Sequence, residues 1–208
     1  MNPEGFNLQQ YMEKEMNSAF KSYSEYFDLN ANDLVNKKII DIGSGPGFFT
    51  QYVREKLHNN EAYALDIFKK RKDNPEWLIC QDLQDTHLPD ESFDLITAKF
   101  VFPMFIQPEY PTKSYDVEMD YKNFIEEMLR ILKPNGILMF DISTPEHIIK
   151  LGLRHNTTEE ENEKDKRKAE NCQIAIDYLN SLNSGNISCE LIPRKSDGYI
   201  VKITKKIV

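Results

Sequence analysis

Apolar residues recur along the chain in short blocks that are separated by amphipathic stretches. The blocks lie at 38–40, 61–67, 77–83, 92–98 and 136–143. A short apolar run bounded by turn residues is typical of a buried strand. The stretch 48–57 between the first two blocks carries its apolar residues at helical spacing instead. Strands that alternate with helices in this way predict an α/β fold with a parallel sheet.

The two ends of the chain extend this pattern. Residues 7–28 carry apolar and aromatic side chains three and four positions apart, which predicts an amphipathic helix with an aromatic face. Thr158 and Glu161 have the spacing of a capping box and predict the start of a long, charged helix. Two final strands, at about 187–193 and 199–207, flank an Asp197-Gly198 pair that favours a hairpin turn.

The run from Asp41 to Gly47, Asp-Ile-Gly-Ser-Gly-Pro-Gly, lies between the first predicted strand and the helix that follows it. Glycines at alternate positions let a backbone approach a ligand where a Cβ atom would clash. The start of the next helix adds unpaired N–H groups. This arrangement predicts a binding site for a small polar metabolite.

The spacing of these glycines resembles motif I of the class I S-adenosylmethionine-dependent methyltransferases. A dinucleotide site has a third glycine where this chain has Phe48, which argues against a nicotinamide-dependent oxidoreductase. Four further segments resemble later motifs of the family in the correct order, at 61–67, 77–83, 92–98 and 129–140. The resemblance covers about residues 38–142.

The resemblance implies a Rossmann-like α/β fold: a seven-stranded, mostly parallel sheet with an antiparallel C-terminal strand and helices on both faces. The last strand is expected between the fifth and the sixth. Residues 1–208 are expected to form a single methyltransferase domain. Its parts are an N-terminal lid helix within 1–30, a cofactor-binding core at 38–144, and C-terminal helices with a β-hairpin at 145–208. A helix packed on the sheet edge is the alternative for the N-terminal segment.

The resemblance also implies which residues bind S-adenosylmethionine. The methionine half of the cofactor is expected against the glycine turn, at Gly43, Ser44, Gly45 and Gly47. Asp41 is expected to organise that turn or to bind the cofactor's amino group.

The strand ends that follow are expected to bind the rest of the cofactor. Asp66 would hold the ribose, Ile67 would pack on the adenine, and Asp82 and Leu83 would meet the adenine edge. The remaining expected contacts are Ala98 and Lys99 near the methionine amino group, and Tyr11 in the lid helix.

Composition narrows the possible partners. The net charge of −8 disfavours a large nucleic-acid substrate, because such a protein must neutralise many phosphates. A basic run at 69–72 is interpreted as a solvated helix.

No apolar run reaches the length of a membrane span, and the N-terminus does not resemble a signal peptide. The spacing of Cys80, Cys172 and Cys189 predicts neither a metal site nor a disulfide, and favours a cytoplasmic protein. Cys80 is expected in the core.

The acceptor is the least defined part of the prediction. The aromatic and proline-rich segment 100–112 follows the fourth strand, so it is expected to line the acceptor pocket. His147 and His155 are candidates for a general base, although each fits a surface histidine better, so no catalytic residue is assigned. The chain lacks the Asn-Pro-Pro-Tyr type motif after the fourth strand, and it has no loop cysteine suited to pyrimidine methylation. Both features favour a small-molecule acceptor, with a protein acceptor as the alternative.

The sequence therefore predicts a methyltransferase that acts on an oxygen, nitrogen or carbon atom of a small, partly apolar molecule. A catalytically silent subunit that binds the cofactor and activates a partner remains open, as does a protein methyltransferase. The related aminopropyl transferases share the fold, but no second acidic cluster for a polyamine follows the fourth strand.

Overall fold

A seven-stranded sheet forms the centre of the protein. The computed structural model describes residues 7–67, 75–102, 121–155, 158–183, 185–194 and 198–207. The strands are β1 (Ile39–Ile42), β2 (Ala62–Asp66), β3 (Leu78–Cys80), β4 (Phe93–Ala98), β5 (Leu132–Ser143), β6 (Ile187–Pro193) and β7 (Gly198–Lys205). Their order across the sheet is β3-β2-β1-β4-β5-β7-β6.

Six helices of the described segments surround this sheet. They are α1 (Leu8–Phe27), α2 (Ala31–Leu34), α3 (Phe48–Lys56), α4 (Tyr121–Ile131), α5 (Pro145–His155) and α6 (Glu159–Ser181). None of the helices in the described part of the chain combines the length and hydropathy that a bilayer-spanning helix needs.

The sheet is parallel except at β7. β1 pairs in parallel with β2 and β4, and β4 pairs in parallel with β5. β7 lies between β5 and β6 and is antiparallel to both. The predicted mostly parallel sheet, its antiparallel C-terminal strand and the insertion of that strand are therefore confirmed.

Alternation along the strands divides the core between the two faces of the sheet. Ile40, Ile96 and Phe140 pack with α4 and α6 on one face. Their neighbours Ile39, Leu95 and Met139 pack with α1, α2 and α3 on the other. Successive side chains of a strand point to opposite faces, so both faces need helices to exclude water.

The predicted start of α6 is confirmed, and a side chain also caps α5. Thr158 and Glu161 form a reciprocal capping box at α6. The Thr144 hydroxyl accepts from the backbone N–H of His147 at 3.2 Å and caps α5. Each cap satisfies a backbone donor that the first helical turn leaves without a partner.

Two expectations about strands are corrected. Cys80 was expected in the core, but it is exposed, because β3 is an edge strand of the sheet. β5 was expected to begin at 136 but begins at Leu132, which is fully buried and pairs with Phe93. A register shift after that pair accommodates the extra residues.

Some predictions fall outside the described residues. They concern the basic run 69–72, most of the segment 100–112 and Asp197 of the hairpin turn. The division of the chain into lid, core and C-terminal parts stays a prediction.

Removal of residues 199–208 should prevent folding. β7 pairs on both sides, and its Val201 and Ile203 side chains are 0% exposed, so truncation leaves two strand edges and a core face uncovered. We expect no cooperative thermal transition by circular dichroism. Deletion of residues 207–208 alone is the control, because Ile207 lies beyond β7 and is 70% exposed. A soluble, cooperatively melting product of the longer truncation would contradict this topology.

Candidate functional site

The glycine turn joins the central strand β1 to helix α3. Gly43, Gly45 and Gly47 all have positive φ angles, of 66°, 58° and 74°. Residues other than glycine rarely adopt backbone conformations with positive φ. The backbone N–H groups of Gly43 and Ser44 donate to the Leu65 carbonyl of β2, at 2.7 and 3.1 Å. The turn is therefore fixed to the neighbouring strand.

The three glycines differ in what surrounds them. A Cβ atom on Gly43 would lie 2.2 Å from a methyl group of Val101, and one on Gly47 would lie 2.7 Å from the ring of Trp77. A Cβ atom on Gly45 would meet nothing within 4 Å. Gly43 and Gly47 therefore allow close packing, whereas Gly45 faces open space from which a ligand could approach the backbone.

Asp66 connects the end of β2 to this turn. Its side chain is 7% exposed, and its Oδ2 atom accepts from the Gly45 N–H at 2.8 Å. Ile67 follows, and its carbonyl accepts from the Cys80 thiol at 3.3 Å. The carboxyl ends of β2 and β3 are thus held together beside the glycine turn.

The segment after β3 offers further polar groups. The Oδ1 atom of Asp82 accepts from the backbone N–H of Gln84 at 2.9 Å, and the Leu83 side chain is buried in the core. The Gln81 Oε1 and Ser44 Oγ atoms are buried and have no hydrogen-bond partner among the described residues. A buried polar atom without a partner is costly, so both atoms are suited to a polar ligand at this edge.

Asp41 is the most buried carboxylate of the site. It is 1% exposed at the end of β1, beside Thr97 of β4 in the sheet register. Its two oxygens accept from the Thr97 hydroxyl at 2.9 Å and from the Tyr23 hydroxyl of α1 at 3.1 Å. Burial raises the pKa of Asp41 from 3.8 to about 7, against the lowering effect of both hydrogen bonds and of the Lys99 charge.

Lys99 follows β4 and extends under α1. Its ammonium group donates to the Ser22 hydroxyl and lies 4.7 to 5.2 Å from the ring centroids of Tyr23, Tyr26 and Phe100. Such distances suit cation–π attraction. Burial lowers the pKa of Lys99, whereas Asp141 and Asp41 oppose that shift.

Asp141 of β5 completes this polar layer. It is 3% exposed and accepts from the Phe100 backbone N–H at 2.6 Å, while Nη1 of Arg194 lies 4.0 Å from its Oδ2. Burial raises the pKa of Asp141. The Arg194 guanidinium lies 4.2 Å from the centroid of the Tyr26 ring. Strands β1, β4, β5 and the end of β6 therefore all contribute charge beneath the C-terminal half of α1.

Aromatic stacking attaches α1 to α3. The Tyr23 and Phe49 rings stack with centroids 4.1 Å apart, and the Phe20 and Tyr52 rings stack at 4.1 Å. Nearer the N-terminus, Tyr11 is 44% exposed and contacts Phe48 edge-on at 6.5 Å. The segment predicted to be a lid thus packs firmly on α3 through its second half.

Most of the site residues that the sequence predicts lie close together, at the carboxyl ends of the parallel strands. Asp41, the glycines, Asp66, Ile67 and Asp82 lie at the carboxyl ends of β1, β2 and β3. Ala98 is buried in the core. The side chain of His155 and residues 103–110 lie outside the described positions.

Sequence reasoning missed four residues: Tyr23 as a partner of Asp41, and Thr97, Asp141 and Arg194 altogether. The signal for two of them was available, because Thr97 and Asp141 are polar residues near the ends of otherwise apolar strands. No group of three or more His, Cys, Asp and Glu residues in the described segments could hold a metal ion.

Asp41→Asn should stabilise the protein at alkaline pH. Because the pKa of Asp41 is raised from 3.8 to about 7, the folded state binds more protons than the unfolded state in that interval, and stability falls as pH rises through it. The amide carries no charge and avoids this loss. We expect a gain of a few kcal/mol in unfolding free energy at pH 8 that shrinks towards pH 5, measured by urea denaturation.

The control for this substitution is Asp177→Asn, which removes an exposed carboxylate on α6. It should show no comparable gain. A wild type that is as stable as Asp41→Asn at pH 8 would contradict the cost assigned to the buried carboxylate.

The chain has measurable similarity to known proteins. Residues 40–140 match the model of a family described as a methyltransferase domain. A malonyl-[acyl-carrier protein] O-methyltransferase of Halorhodospira halophila is 23% identical over 124 residues, which make up 55% of this chain. The chain covers 38% of the length of that curated relative.

Solved structures share the fold over nearly the whole chain. The plantazolicin methyltransferase BpumL, in complex with a pentazolic desmethylPZN analog and SAH, superposes with a TM-score of 0.54, 13% identity and coverage of 98% of this chain and 87% of its own. A structure from Methanococcus maripaludis assigned to the S-adenosylmethionine-dependent methyltransferases gives a TM-score of 0.54 with 18% identity, and covers 100% and 98%. Residues 40–140 therefore belong to the methyltransferase-domain family, and the strand order and the glycine turn agree with the resemblance to the class I S-adenosylmethionine-dependent methyltransferases.

Proposed function

We propose that this protein transfers a methyl group from S-adenosylmethionine to a small molecule with an apolar body. The observation that carries the cofactor assignment is the open space over Gly45, bordered by Asp66 and by the buried Ser44 hydroxyl, which has no hydrogen-bond partner within the described segments. An elongated ligand with hydroxyl, amino and carboxylate groups suits this edge. The sulfonium of the cofactor would supply an already activated methyl group.

Residues of the chain would bind and orient the cofactor. Gly43, Ser44, Gly45 and Gly47 would contact its methionine half through backbone groups and the Ser44 hydroxyl. Asp41 would organise that turn and provide negative charge for the cofactor's amino group. Ala98 and Lys99 would lie near that group at the end of β4.

The adenosine half would lie along β2 and β3. Asp66 would accept from the ribose hydroxyls, as its position at the end of β2 supports. Ile67 would pack on the adenine, and Asp82 with Leu83 would meet the adenine edge. The buried Gln81 Oε1 atom lies in the same segment and is suited to accept from an amino group. Tyr11 would cover the site from α1.

The acceptor would bind beside Lys99 and Phe100. Phe100 is 59% exposed although it is a large apolar side chain, and it packs edge-on against Tyr26 of α1 with centroids 5.2 Å apart. This aromatic surface supports an acceptor with an apolar body. The protein would contribute chiefly by aligning acceptor, methyl group and sulfur, since proximity alone lowers such a barrier by several kcal/mol.

A protein-linked acceptor is the second candidate. It is motivated by the curated relative, whose name gives a malonyl-[acyl-carrier protein] as its substrate. The two candidates share the cofactor site and differ only in what reaches the methyl group. The net charge of −8 disfavours a polyanion as the acceptor.

Gly45→Ala should lose cofactor binding while keeping the fold. The methyl group enters the open space over the turn, and the left-handed backbone costs about 1–2 kcal/mol of stability. Gly43→Ala is the control for stability only, because Gly43 is itself proposed to contact the cofactor. It has the same strain and also collides with Val101, so its melting temperature should fall further. Calorimetry with S-adenosylhomocysteine and thermal melts measure both effects, and normal binding by Gly45→Ala would mean that the turn is only structural.

Asp66→Ala should weaken cofactor binding by about 1.5–3 kcal/mol, the typical worth of hydrogen bonds to a charged group. The substitution also removes the acceptor for the Gly45 N–H, so some stability is lost as well. Titration calorimetry with S-adenosylhomocysteine measures the affinity, and NAD serves as the negative control ligand. An unchanged affinity would show that another residue binds the ribose.

Long polyanions should not bind. We expect transfer RNA and duplex DNA to show no detectable affinity near physiological salt, because the net charge of −8 opposes phosphate binding. Fluorescence anisotropy with labelled nucleic acids measures this. Tight, sequence-dependent RNA binding would overturn the small-molecule acceptor and leave the cofactor assignment intact.

A further inference from the structure

Tyr23 extends from α1 towards Asp41, at the carboxyl ends of the strands where the cofactor is proposed to bind. Its hydroxyl donates to Asp41 Oδ2 at 3.1 Å, and its ring is stacked on Phe49 with an interplanar angle of 9°. The stacked ring fixes the direction in which the hydroxyl points. Because Asp41 is 1% exposed, water does not replace this donor while α1 is docked.

The Asp41 carboxylate therefore depends on two different elements. Thr97 donates from the adjacent strand β4, so this hydrogen bond does not depend on the position of α1. Tyr23 donates from a helix that is attached through side chains. If α1 moved away, Asp41 would lose one of these two donors, and Lys99 would lose its contacts with Ser22, Tyr23 and Tyr26.

We propose that Tyr23 is a positioning residue: its hydroxyl holds the Asp41 carboxylate in the orientation that the cofactor requires, so that docking of α1 and binding of the cofactor strengthen each other. The inference rests on the proposed function, because it takes Asp41 as a cofactor-binding residue. Coupling of this kind is reciprocal, since a ligand that favours docked α1 is itself favoured by it.

Several charged groups face Asp41. Lys99 of the β4 end favours its ionised form, and Asp66 of β2 opposes it. Asp141 of β5 acts electrostatically on Tyr23, and Arg194 acts on both Lys99 and Asp141. Removing the Tyr23 hydroxyl leaves this charge set unchanged and deletes one hydrogen bond to the carboxylate, so the pKa of Asp41 should rise further above about 7.

The first experiment compares Tyr23→Phe with Tyr52→Phe. Both substitutions remove a hydroxyl from a ring that is stacked in the interface between α1 and α3, but only Tyr23 donates to Asp41. S-adenosylhomocysteine binding is measured by calorimetry from pH 6 to pH 9, and titration of the ligand itself is common to all variants. We expect Tyr23→Phe to bind several-fold more weakly near pH 7, with a smaller loss at pH 9, and Tyr52→Phe to follow the wild type throughout.

A double-mutant cycle separates positioning from packing. If Tyr23 acts through Asp41, Tyr23→Phe should cost no further affinity in an Asp41→Asn background. Hydrogen exchange over residues 8–27 should slow on ligand addition in the wild type and slow less in Tyr23→Phe. An equal loss in both backgrounds, or a loss that does not vary with pH, would overturn the inference and leave Tyr23 as a packing residue.

The outcomes also distinguish this inference from the proposed function. If Asp41→Asn weakens binding and Tyr23→Phe behaves as Tyr52→Phe does, only the role of Tyr23 fails. If Asp41→Asn binds as the wild type does, the assignment of Asp41 to the cofactor fails, and the role of Tyr23 fails with it.

Discussion

The burial of the Asp41 carboxylate is the constraint on which the rest of the site depends. A carboxylate that is 1% exposed at the centre of a sheet is stable only if its oxygens are hydrogen-bonded. Thr97 and Tyr23 supply those bonds, and Lys99 supplies the opposite charge nearby. α1 through Tyr23, and β4 through Thr97, therefore both contact this buried group.

The polar residues around Asp41 lie on one face of the sheet. Asp41, Thr97, Lys99 and Asp141 fall on alternate positions that point towards α1, whereas their neighbours Ile42, Ala98 and Ile142 join the apolar core on the other face. A parallel sheet buried on both faces is normally apolar throughout. Within the described strands, the buried polar residues Asp41, Asp66, Thr97 and Asp141 lie at the carboxyl ends, where open α/β folds bind ligands. The cost in stability is therefore concentrated where the chemistry is proposed.

The sequence predicted the fold better than the contacts within the site. Apolar runs between turn residues located the strands, and the resemblance supplied the inserted position of β7. Cys80 was misplaced because an apolar run does not reveal whether its strand lies at the edge of the sheet. The bond from Tyr23 to Asp41 spans 18 positions and depends on how α1 is rotated on α3, which helical periodicity alone does not fix. The different surroundings of Gly43 and Gly45 likewise arise from Val101, a residue distant in sequence.

The most direct test of this account is a titration of the Asp41 carboxyl by ¹³C nuclear magnetic resonance, with Asp41→Asn used to identify the signal. Asp41 should titrate near pH 7 without ligand, because its burial raises the pKa to about 7. Addition of S-adenosylhomocysteine should lower that pKa, since a cationic amino group beside the carboxylate favours its ionised form. A carboxyl that titrates near 4 and does not respond to the ligand would contradict both the effect of burial on the pKa of Asp41 and the proposed cofactor site.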